Sequence, residues 1–327
     1  MERRLAEYYE VKNDDLIRCE LCPHNCVISP GEEGLCWARE NIDGKLYAVN
    51  YGETTSIAVD PIEKKPLFHF KPGTNILSVA PTGCNMRCPY CQNYTISSKK
   101  AITKYIGPKE LVNFAKEHNT PSIAFTYTEP IIWFEYIKDV AKYAEPSGIN
   151  LVMVTNGLIS KEPLMELLEI INAMNIDLKS MNEEYYKKVL KGDLNTTLKT
   201  IELASNKIHV EVTNLLIPGD NDRDVEELAK WLSSIDKVIP LHISRYFPYQ
   251  GYERPPTSVS TLMEAYDIAS RYLYYVYIGN VRVERAENTY CPECSNLLVE
   301  RIGYNSRIVG IEGKNCSNCN RKVDIVL

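Results

Sequence analysis

Three cysteines lie within eight positions of the segment PTGCNMRCPYCQN, namely Cys84, Cys88 and Cys91. Their thiolates are soft ligands of the kind that bind zinc and the irons of iron–sulfur clusters. Such centres normally take four protein ligands, but no fourth cysteine lies beside these three. The spacing therefore predicts a metal centre in which one coordination position is kept for a ligand other than a cysteine.

All eleven cysteines of the chain fall into three groups of four, three and four. The two outer groups contain Cys19, Cys22, Cys26 and Cys36, and Cys291, Cys294, Cys316 and Cys319. Buried free cysteines would have no reason to cluster at CxxC spacings. In a chain without a predicted secretory signal, the groups indicate metal binding or redox chemistry rather than a disulfide framework.

The C-terminal group consists of two CxxC pairs, CPEC and CSNC, separated by twenty-one residues. Two such pairs on either side of a short β segment are typical of a four-thiolate ribbon. Zinc is the default metal, but an iron site of the rubredoxin type has the same spacing. The spacing therefore predicts the ligands and leaves the metal open between zinc and iron.

The N-terminal group is less regular, with a C-x2-C-x3-C start and Cys36 ten positions later. It fits either a structural zinc or a second iron–sulfur cluster. His24 is an alternative ligand, although four cysteines are the favoured set. A cluster would suit electron delivery or substrate binding, whereas zinc would fold a segment too short for its own core.

Six short apolar runs between residues 75 and 280 are predicted to be buried strands. They are NILSVA, SIAFTY, NLVMVTN, AMNIDLK, KIHVEVTNLLIP and PLHISRYF. Stretches with apolar residues three or four apart, such as DRDVEELAKWLSSI, lie between them and predict helices. Alternating strands and helices imply a parallel sheet. We therefore expect an α/β fold built as a partial (β/α)6 barrel, TIM-like but shorter than the eight-stranded form.

Three segments are expected along the chain. A Cys-rich metal-binding segment would occupy residues 1–72, the partial barrel residues 73–287, and a zinc-ribbon or rubredoxin-like segment residues 288–327. The C-terminal ribbon is expected to fold locally around its metal and to leave the barrel independent of it.

Polar residues follow four successive predicted strands. The three-cysteine loop follows the first strand, Glu129 the second, Asn156 the third, and Asp177 and Lys179 the fourth. Each residue has an ordinary structural use, such as a turn or a helix cap. Because the carboxyl ends of parallel strands meet at one face of a barrel, their joint occurrence predicts a functional site there.

The Cx3Cx2C spacing with Tyr90 before the last cysteine resembles the signature of the radical S-adenosylmethionine superfamily. TNG at 155–157, DLKSMNEEYY from Asp177 and IPGDND from Ile217 are similar to stretches of the pyruvate formate-lyase activating enzymes. LCPHNCVISPGEEGLCWARE, DPIEKKPLFHF, TYTEP and HISRYFP resemble the branch called the AmmeMemoRadiSam system radical SAM enzymes. This last resemblance covers nearly the whole chain.

The resemblance implies a radical reaction. Cys84, Cys88 and Cys91 would hold three irons of a 4Fe-4S cluster, and the open iron would bind S-adenosylmethionine. Reductive cleavage would then produce a 5'-deoxyadenosyl radical, which abstracts hydrogen from a partner protein or a small molecule, as in the glycyl-radical activases.

The resemblance also assigns roles to the residues at the strand ends. Glu129 would meet the methionyl amino group and Lys179 the methionyl carboxylate. Asn156 and Asp177 would shape the ribose and carboxylate region, while Tyr90 would set the backbone that contacts the adenine. This chain has TYTEP where the activating enzymes have Gly-Gly-Glu.

Composition limits the other classes of function. The net charge of -6 and the pI near 5.6 argue against a broad nucleic-acid surface. No run of eighteen apolar residues is present, and MERRLAEYYEVKNDD has no apolar stretch after its arginines, so we expect a cytoplasmic protein. The resemblance suggests a reductant such as a ferredoxin or flavodoxin, and Memo-like and AMMECR-type proteins as partners.

Two alternatives to a radical enzyme remain at this point. One is a zinc-ribbon interaction or nucleic-acid-binding protein without catalysis, in which all three cysteine groups are structural. The other is an electron carrier with clusters and no substrate. The open triad and the polar strand ends argue against both, because neither function needs Glu129 or Lys179.

Overall fold

The structure is a computed structural model and describes residues 4–98, 101–249 and 251–327. Its first part contains β1 (Arg4–Leu5), β2 (Tyr9–Val11), β3 (Ile17–Cys19), β4 (Val27–Ile28), β5 (Arg39–Ile42) and β6 (Lys45–Ala48). They form two antiparallel sheets, ordered β1-β6-β5 and β2-β3-β4. Cys22 and Cys36 lie in the connections before and after β4.

A nine-stranded sheet forms the centre of the described chain. Its strands are β7 (Glu53–Pro61), β8 (Asn75–Pro81), β9 (Lys104–Tyr105), β10 (Ser122–Phe125), β11 (Asn150–Thr155), β12 (Ala173–Asp177), β13 (His209–Leu216), β14 (Leu241–Arg245) and β15 (Val276–Gly279). The order is β15-β14-β13-β12-β11-β10-β8-β7-β9. β7 pairs antiparallel with β8 and β9, and the other pairs are parallel.

Parallel pairing explains both the composition of the strands and the position of the site. All four residues of β10 are buried, as expected for strands covered on both faces. Ile123 of β10 stands opposite Leu77 of β8 and Leu151 of β11. This register brings the carboxyl ends of the parallel strands to one edge of the sheet, where the polar residues follow.

Helices connect the strands. They are α1 (Tyr94–Ser97), α2 (Pro108–Glu117), α3 (Phe134–Ala144), α4 (Lys161–Leu167), α5 (Glu183–Tyr185), α6 (Leu194–Ser205), α7 (Val225–Ile235) and α8 (Val259–Ala269). α3 is amphipathic, because residues three or four positions apart lie on one face and that face is buried. The buried residues include Phe134, Ile137, Val140 and Ala144. Within the described ranges, no helix combines the length and the apolar character needed to cross a membrane.

The α/β fold with a mostly parallel sheet agrees with the prediction, but the sheet has seven parallel strands rather than six. The additional strand, β15, lies in the tyrosine-rich segment YLYYVYIGN. Its four residues are too few to show a period by themselves. The outermost strands β15 and β9 are not paired with each other, so the sheet is open.

The C-terminal part contains β16 (Thr289–Tyr290), β17 (Leu297–Ile302), β18 (Asn305–Ile308), β19 (Ile311–Glu312) and β20 (Asn315–Cys316). Its last residues pair with the segment after β7, where Val326 bridges Phe70 and donates its amide to the carbonyl oxygen of His69 at 2.8 Å. Arg301, only 3% exposed, donates to the carbonyl oxygen of Phe68 at 2.7 Å. The C-terminal part is therefore joined to the rest of the chain by buried polar contacts.

Glu211, a residue of strand β13 in the central sheet, also binds the segment after β7. This buried carboxylate accepts hydrogen bonds from the amides of Phe68 at 3.0 Å and His69 at 2.7 Å. It also contacts Nε2 of His209 at 3.0 Å and of His242 at 2.6 Å. Burial would raise the pKa of Glu211, but the hydrogen bonds from the two histidines lower it well below its ordinary value.

The expected division into 1–72, 73–287 and 288–327 stays a prediction. β7 lies within the first of these segments yet pairs with β8 of the second. The contacts of Arg301 and Val326 likewise link the third segment to the first.

Candidate active site

The residues predicted for the catalytic centre line one cavity of about 360 Å³ at the carboxyl edge of the parallel strands. They are Cys84, Cys88, Tyr90, Cys91, Glu129, Asn156, Asp177 and Lys179. The sequence places them on four separate loops, and the fold brings the loops together. Their common position is what a site assembled from successive strand ends requires.

The three thiols lie in the loop that leaves the carboxyl end of β8. Burial raises the pKa of the Cys88 thiol to about 11 and also raises the pKa of Cys84. A buried thiol of this kind forms a thiolate when a metal cation binds it. A set of three thiols that line one cavity fits a cluster with one iron left for a further ligand.

Glu129 joins the loops that follow β10 and β11. Its Oε1 accepts hydrogen bonds from Thr155 Oγ1 at 2.6 Å and from the amide of Ile131 at 3.0 Å. Its Oε2 accepts from the amide of Asn156 at 2.8 Å. Burial raises the pKa of Glu129 to about 7, although these hydrogen bonds act to lower it. The carboxylate therefore braces two strand ends as well as lining the cavity.

Asn156 connects Glu129 to the cysteine loop. Its Nδ2 donates to Asn85 Oδ1 at 2.9 Å and lies 4.0 Å from the sulfur of Cys84. Its Oδ1 accepts from the amide of Leu158 at 2.9 Å. Both ends of the side-chain amide are thus occupied, so Asn156 positions the loop around Cys84.

Lys179 supplies a positive charge at the cavity wall. Its Nζ lies 2.9 Å from Oδ2 of Asp177, and its side chain is 15% exposed. Burial would lower the pKa of Lys179, but Asp177 and Cys88 raise it above its ordinary value. The ammonium therefore stays charged and can meet an anionic group in the cavity.

The side chain of Tyr90 belongs to an aromatic cluster. Its ring centroid lies 5.5 Å from that of Tyr252 and 6.4 Å from that of Tyr246. Burial raises the pKa of Tyr90 well above its ordinary value. The ring packs against Tyr246 and Tyr252 in the loop after β14.

Three further residues beside the cavity are not predicted from the sequence, namely Asp60, Lys65 and Tyr127. Tyr127 has a left-handed φ of 66°, which aromatic residues rarely adopt. Its hydroxyl donates to Asp60 at 2.5 Å, and Lys65 Nζ lies 4.2 Å from its ring centroid. The charged residues of DPIEKKPLFHF are the sequence signal that could have identified Asp60 and Lys65.

The C-terminal cysteines form a compact quartet. The sulfurs of Cys291 and Cys319 are 3.6 Å apart and those of Cys294 and Cys316 are 3.7 Å apart. All four sulfurs lie within 4.8 Å of one another. A Zn–S bond of about 2.3 Å places tetrahedral sulfurs about 3.8 Å apart. The quartet therefore has the dimensions of a site for one tetrahedral ion.

The N-terminal cysteines line a second cavity, next to the cysteine loop. Its wall includes Cys19, Cys22, Cys26, Cys36, His24 and Asn85. His24 Nε2 donates to the carbonyl oxygen of Asn85 at 2.7 Å, so its ring is engaged with the neighbouring loop. Gly83 packs so tightly that a Cβ there would lie 2.4 Å from the carbonyl oxygen of Cys36.

The first parallel strand of the α/β sheet leads into a three-thiol loop, and charged groups from other strand ends line the same cavity. This arrangement is typical of an enzyme with a cysteine-ligated metal centre. The model of the radical SAM superfamily matches residues 79–232. An uncharacterized protein of Methanocaldococcus jannaschii is 46% identical over 336 residues, which cover 99% of this chain and 100% of that protein. The chain belongs to the radical SAM superfamily and is an enzyme of that class.

Other relatives carry functional names. Pyruvate formate-lyase 1-activating enzyme of Escherichia coli is 27% identical over 175 residues, 49% of this chain and 71% of that enzyme. A putative glycyl-radical enzyme activating enzyme of M. jannaschii is 28% identical over 216 residues, 61% of this chain and 86% of that protein. Family membership implies a 4Fe-4S cluster and S-adenosylmethionine as cofactors, which excludes the alternative of a zinc-ribbon protein without catalysis.

Solved structures share the fold. Streptococcus suis SuiB bound to precursor peptide SuiA matches with a TM-score of 0.52 and 13% identity, over 68% of this chain and 52% of that chain. A radical SAM methyltransferase from Sphaerobacter thermophilus matches with a TM-score of 0.52 and 16% identity, over 70% of this chain and 71% of that chain. At these identities the likeness shows the fold alone.

Proposed function

We propose that this enzyme cleaves S-adenosylmethionine reductively at a 4Fe-4S cluster bound by Cys84, Cys88 and Cys91, and that it abstracts hydrogen from a partner protein or a small molecule. The observation that carries the proposal is the shared cavity, in which three thiols face Lys179 and Asp177. When bound, the cofactor supplies a carbon radical that no acid–base side chain can generate.

The side chains around the cavity are assigned to the charged groups of S-adenosylmethionine. Lys179 binds the methionyl carboxylate, because it is a charged donor beside the cysteine loop. Glu129 attracts the amino group, while Asn156 and Asp177 lie at the ribose and carboxylate region. Tyr90 holds the backbone that contacts the adenine, since its ring is packed away in the aromatic cluster.

The C-terminal quartet is proposed to bind one zinc ion in a ribbon that spans residues 288–327. Sulfur separations of 3.6 and 3.7 Å support a single tetrahedral ion. Iron has the same geometry, and metal analysis of the purified protein distinguishes the two.

The partners are proposed from the relatives and from the sequence. Relatives named as activating enzymes support a protein substrate and a one-electron reductant such as a ferredoxin or flavodoxin. The resemblance to the AmmeMemoRadiSam branch adds Memo-like and AMMECR-type proteins as candidate substrates or accessory proteins. We place the reaction in the cytoplasm, where reduced thiols and such reductants occur.

The decisive experiment is anaerobic incubation of the reduced protein with S-adenosylmethionine. We expect 5'-deoxyadenosine and methionine from the parent and neither product from the variant Cys84→Ala/Cys88→Ala/Cys91→Ala. The matched control is Cys294→Ser/Cys316→Ser, which alters the C-terminal quartet and should retain cleavage. Equal product formation by the parent and the triple variant would refute the proposal. Mass spectrometry after incubation with candidate partners then identifies the substrate.

A further inference from the structure

We propose that Cys19, Cys22, Cys26 and Cys36 bind a second 4Fe-4S cluster, that Arg39 donates hydrogen bonds to it, and that it passes electrons to the catalytic centre. The sequence by itself left this group open between zinc and a cluster. Three observations separate the two: the spacing of the thiols, two guanidinium nitrogens of a buried arginine that have no hydrogen-bond partner among the described residues, and contacts with both neighbours of Cys84.

The spacing of the thiols differs from that of a zinc site. In a zinc site the sulfurs lie about 2.3 Å from the metal and therefore about 3.8 Å from one another. Four irons and their sulfides, by contrast, stand between the cysteine sulfurs and keep them farther apart.

The other cysteine groups of this chain supply an internal comparison. Among the described residues, the C-terminal quartet is the one group of metal-ligating side chains whose ligand atoms lie within 4.8 Å of one another. The N-terminal quartet is more widely spaced, as is the triad that family membership assigns to a cluster. The N-terminal quartet therefore resembles the cluster site of this chain in its spacing, and differs from the single-ion site.

Arg39 provides the second observation. Its side chain is 1% exposed and lines the cavity, where Nη1 donates to Oε1 of Glu135 at 2.6 Å. Its Nε and Nη2 have no hydrogen-bond partner among the described residues. Buried donors without partners are rare in folded proteins. The sulfurs of a cluster with four thiolates carry negative charge and would accept hydrogen bonds from these two nitrogens.

The third observation concerns electron transfer and rests on the proposed function. His24, between two ligands of the quartet, donates to the carbonyl oxygen of Asn85 at 2.7 Å, and Gly83 contacts the carbonyl oxygen of Cys36. Gly83 and Asn85 are the two neighbours of Cys84. Short covalent and hydrogen-bonded paths thus connect the two centres. Because four cysteines saturate the irons, the second cluster suits electron transfer rather than substrate binding.

The relay would move one electron at a time. A reduced one-electron carrier protein would lose one electron to the cluster held by the N-terminal quartet, and the electron would then pass to the cluster held by Cys84, Cys88 and Cys91. The carrier would leave oxidised by one electron, so the electrons balance.

Metal content of the variant Cys84→Ala/Cys88→Ala/Cys91→Ala tests the cluster without reference to activity. We expect about four irons and four sulfides per chain to remain, with the Mössbauer signature of a 4Fe-4S cluster. A chain without iron that carries a second zinc would overturn the inference. Cleavage of S-adenosylmethionine is assayed in the parent, so failure of the proposed function and failure of this inference are separate results.

Arg39→Lys in that triple-variant background tests the hydrogen bonds. Lysine keeps the charge and the contact with Glu135 but has no equivalents of Nε and Nη2, so the reduction potential of the remaining cluster should become more negative. Arg18→Lys, at a 40% exposed side chain of the same segment, is the matched control and should leave the potential unchanged. An unchanged potential in Arg39→Lys would refute the role of Arg39.

The relay is tested in the double variant Cys22→Ser/Cys36→Ser, which keeps the catalytic triad. Reduced flavodoxin should reduce the triad cluster at least tenfold more slowly than in the parent, as followed by freeze-quench electron paramagnetic resonance. Cys294→Ser/Cys316→Ser is the control and should behave like the parent. Equal rates in the double variant and the parent would refute the relay. If the double variant does not fold, reduction kinetics in Arg39→Lys alone decide, with parental rates again refuting the relay.

Discussion

The carboxylate of Asp60 lies 2.7 Å from the ammonium of Lys65, in a position where the lysine side chain is only 2% exposed. Lys64 contacts the other oxygen of Asp60 at 2.8 Å but is 46% exposed. Burial would raise the pKa of Asp60, but hydrogen bonds from the two lysines and Tyr127 lower it below its ordinary value. The cluster fixes the end of β7 against the loop after β10, at the wall of the cavity.

Lys65→Met should destabilise the protein far more than Lys64→Met, although both lysines bind the same carboxylate. Removing one partner of a buried ion pair costs about 3 to 5 kcal/mol, whereas an exposed pair contributes about 1 kcal/mol or less. Anaerobic chemical denaturation of both variants measures the difference. Equal decreases in the free energy of unfolding would show that the burial of Lys65 does not strengthen its ion pair with Asp60.

Lys179→Met should weaken the binding of S-adenosylmethionine by about ten- to a hundredfold, because a charge-assisted hydrogen bond contributes about 1.5 to 3 kcal/mol. Equilibrium dialysis under anaerobic conditions measures the dissociation constant. Lys188→Met is the control. The Lys188 side chain also follows β12 but is 72% exposed, so this variant should bind the cofactor like the parent. If Lys179→Met bound S-adenosylmethionine with parental affinity, Lys179 would not be a cofactor-binding residue.

Glu129→Ala should affect stability as well as cofactor affinity. The variant leaves the amides of Ile131 and Asn156 and the hydroxyl of Thr155 without their acceptor, at a cost of about 1 to 3 kcal/mol for each buried group that stays unpaired. Denaturation and cofactor binding are measured on the same preparation. A variant with parental stability and weaker binding would show that the carboxylate serves the ligand alone.

Arg301→Met tests the attachment of the C-terminal part. The buried guanidinium donates to Phe68 at 2.7 Å and to Thr289 Oγ1 at 2.6 Å, so its removal should lower the free energy of unfolding by about 3 kcal/mol. Arg307→Met, at a 74% exposed side chain on the paired strand β18, should change it by less than about 0.5 kcal/mol. Similar values for both variants would indicate that the C-terminal part folds independently.

His69 should make the protein less stable as the pH falls. Burial lowers the pKa of His69 to about 4, with smaller lowering contributions from Arg301 and His209, while Glu211 and the bond to the Asp324 carbonyl oppose it. Between the ordinary pKa of 6.5 and this value, the unfolded chain binds a proton that the folded chain does not. The free energy of unfolding therefore decreases as the pH falls through this window, by about 3 kcal/mol in total.

Denaturation at pH 7.5 and pH 5 measures this dependence. His69→Gln should flatten it, because the amide has no proton to gain in the window. His118→Gln, at an exposed position whose Nδ1 bonds the carbonyl oxygen of Phe114, should keep the parental slope. A parental slope in His69→Gln would assign the pH dependence to another group.

The sequence by itself determined the features that depend on residues close together in the chain. Cysteine spacing identified the ligand groups, because two or three intervening residues are what a metal site permits. Apolar runs located six of the seven parallel strands, since a strand buried on both faces must be apolar throughout. The strand ends then indicated that Glu129, Asn156 and Lys179 lie close together, and all three line one cavity.

The tertiary structure decided the contacts between distant segments. Arg39 meets Glu135, and Asp60 meets Tyr127, across 96 and 67 positions of sequence. The C-terminal part, expected to fold locally around its metal, also binds the segment after β7 through Arg301, which donates to the carbonyl oxygen of Phe68. No local pattern encodes such pairs, because a buried charge is tolerated only where the completed fold supplies its partner.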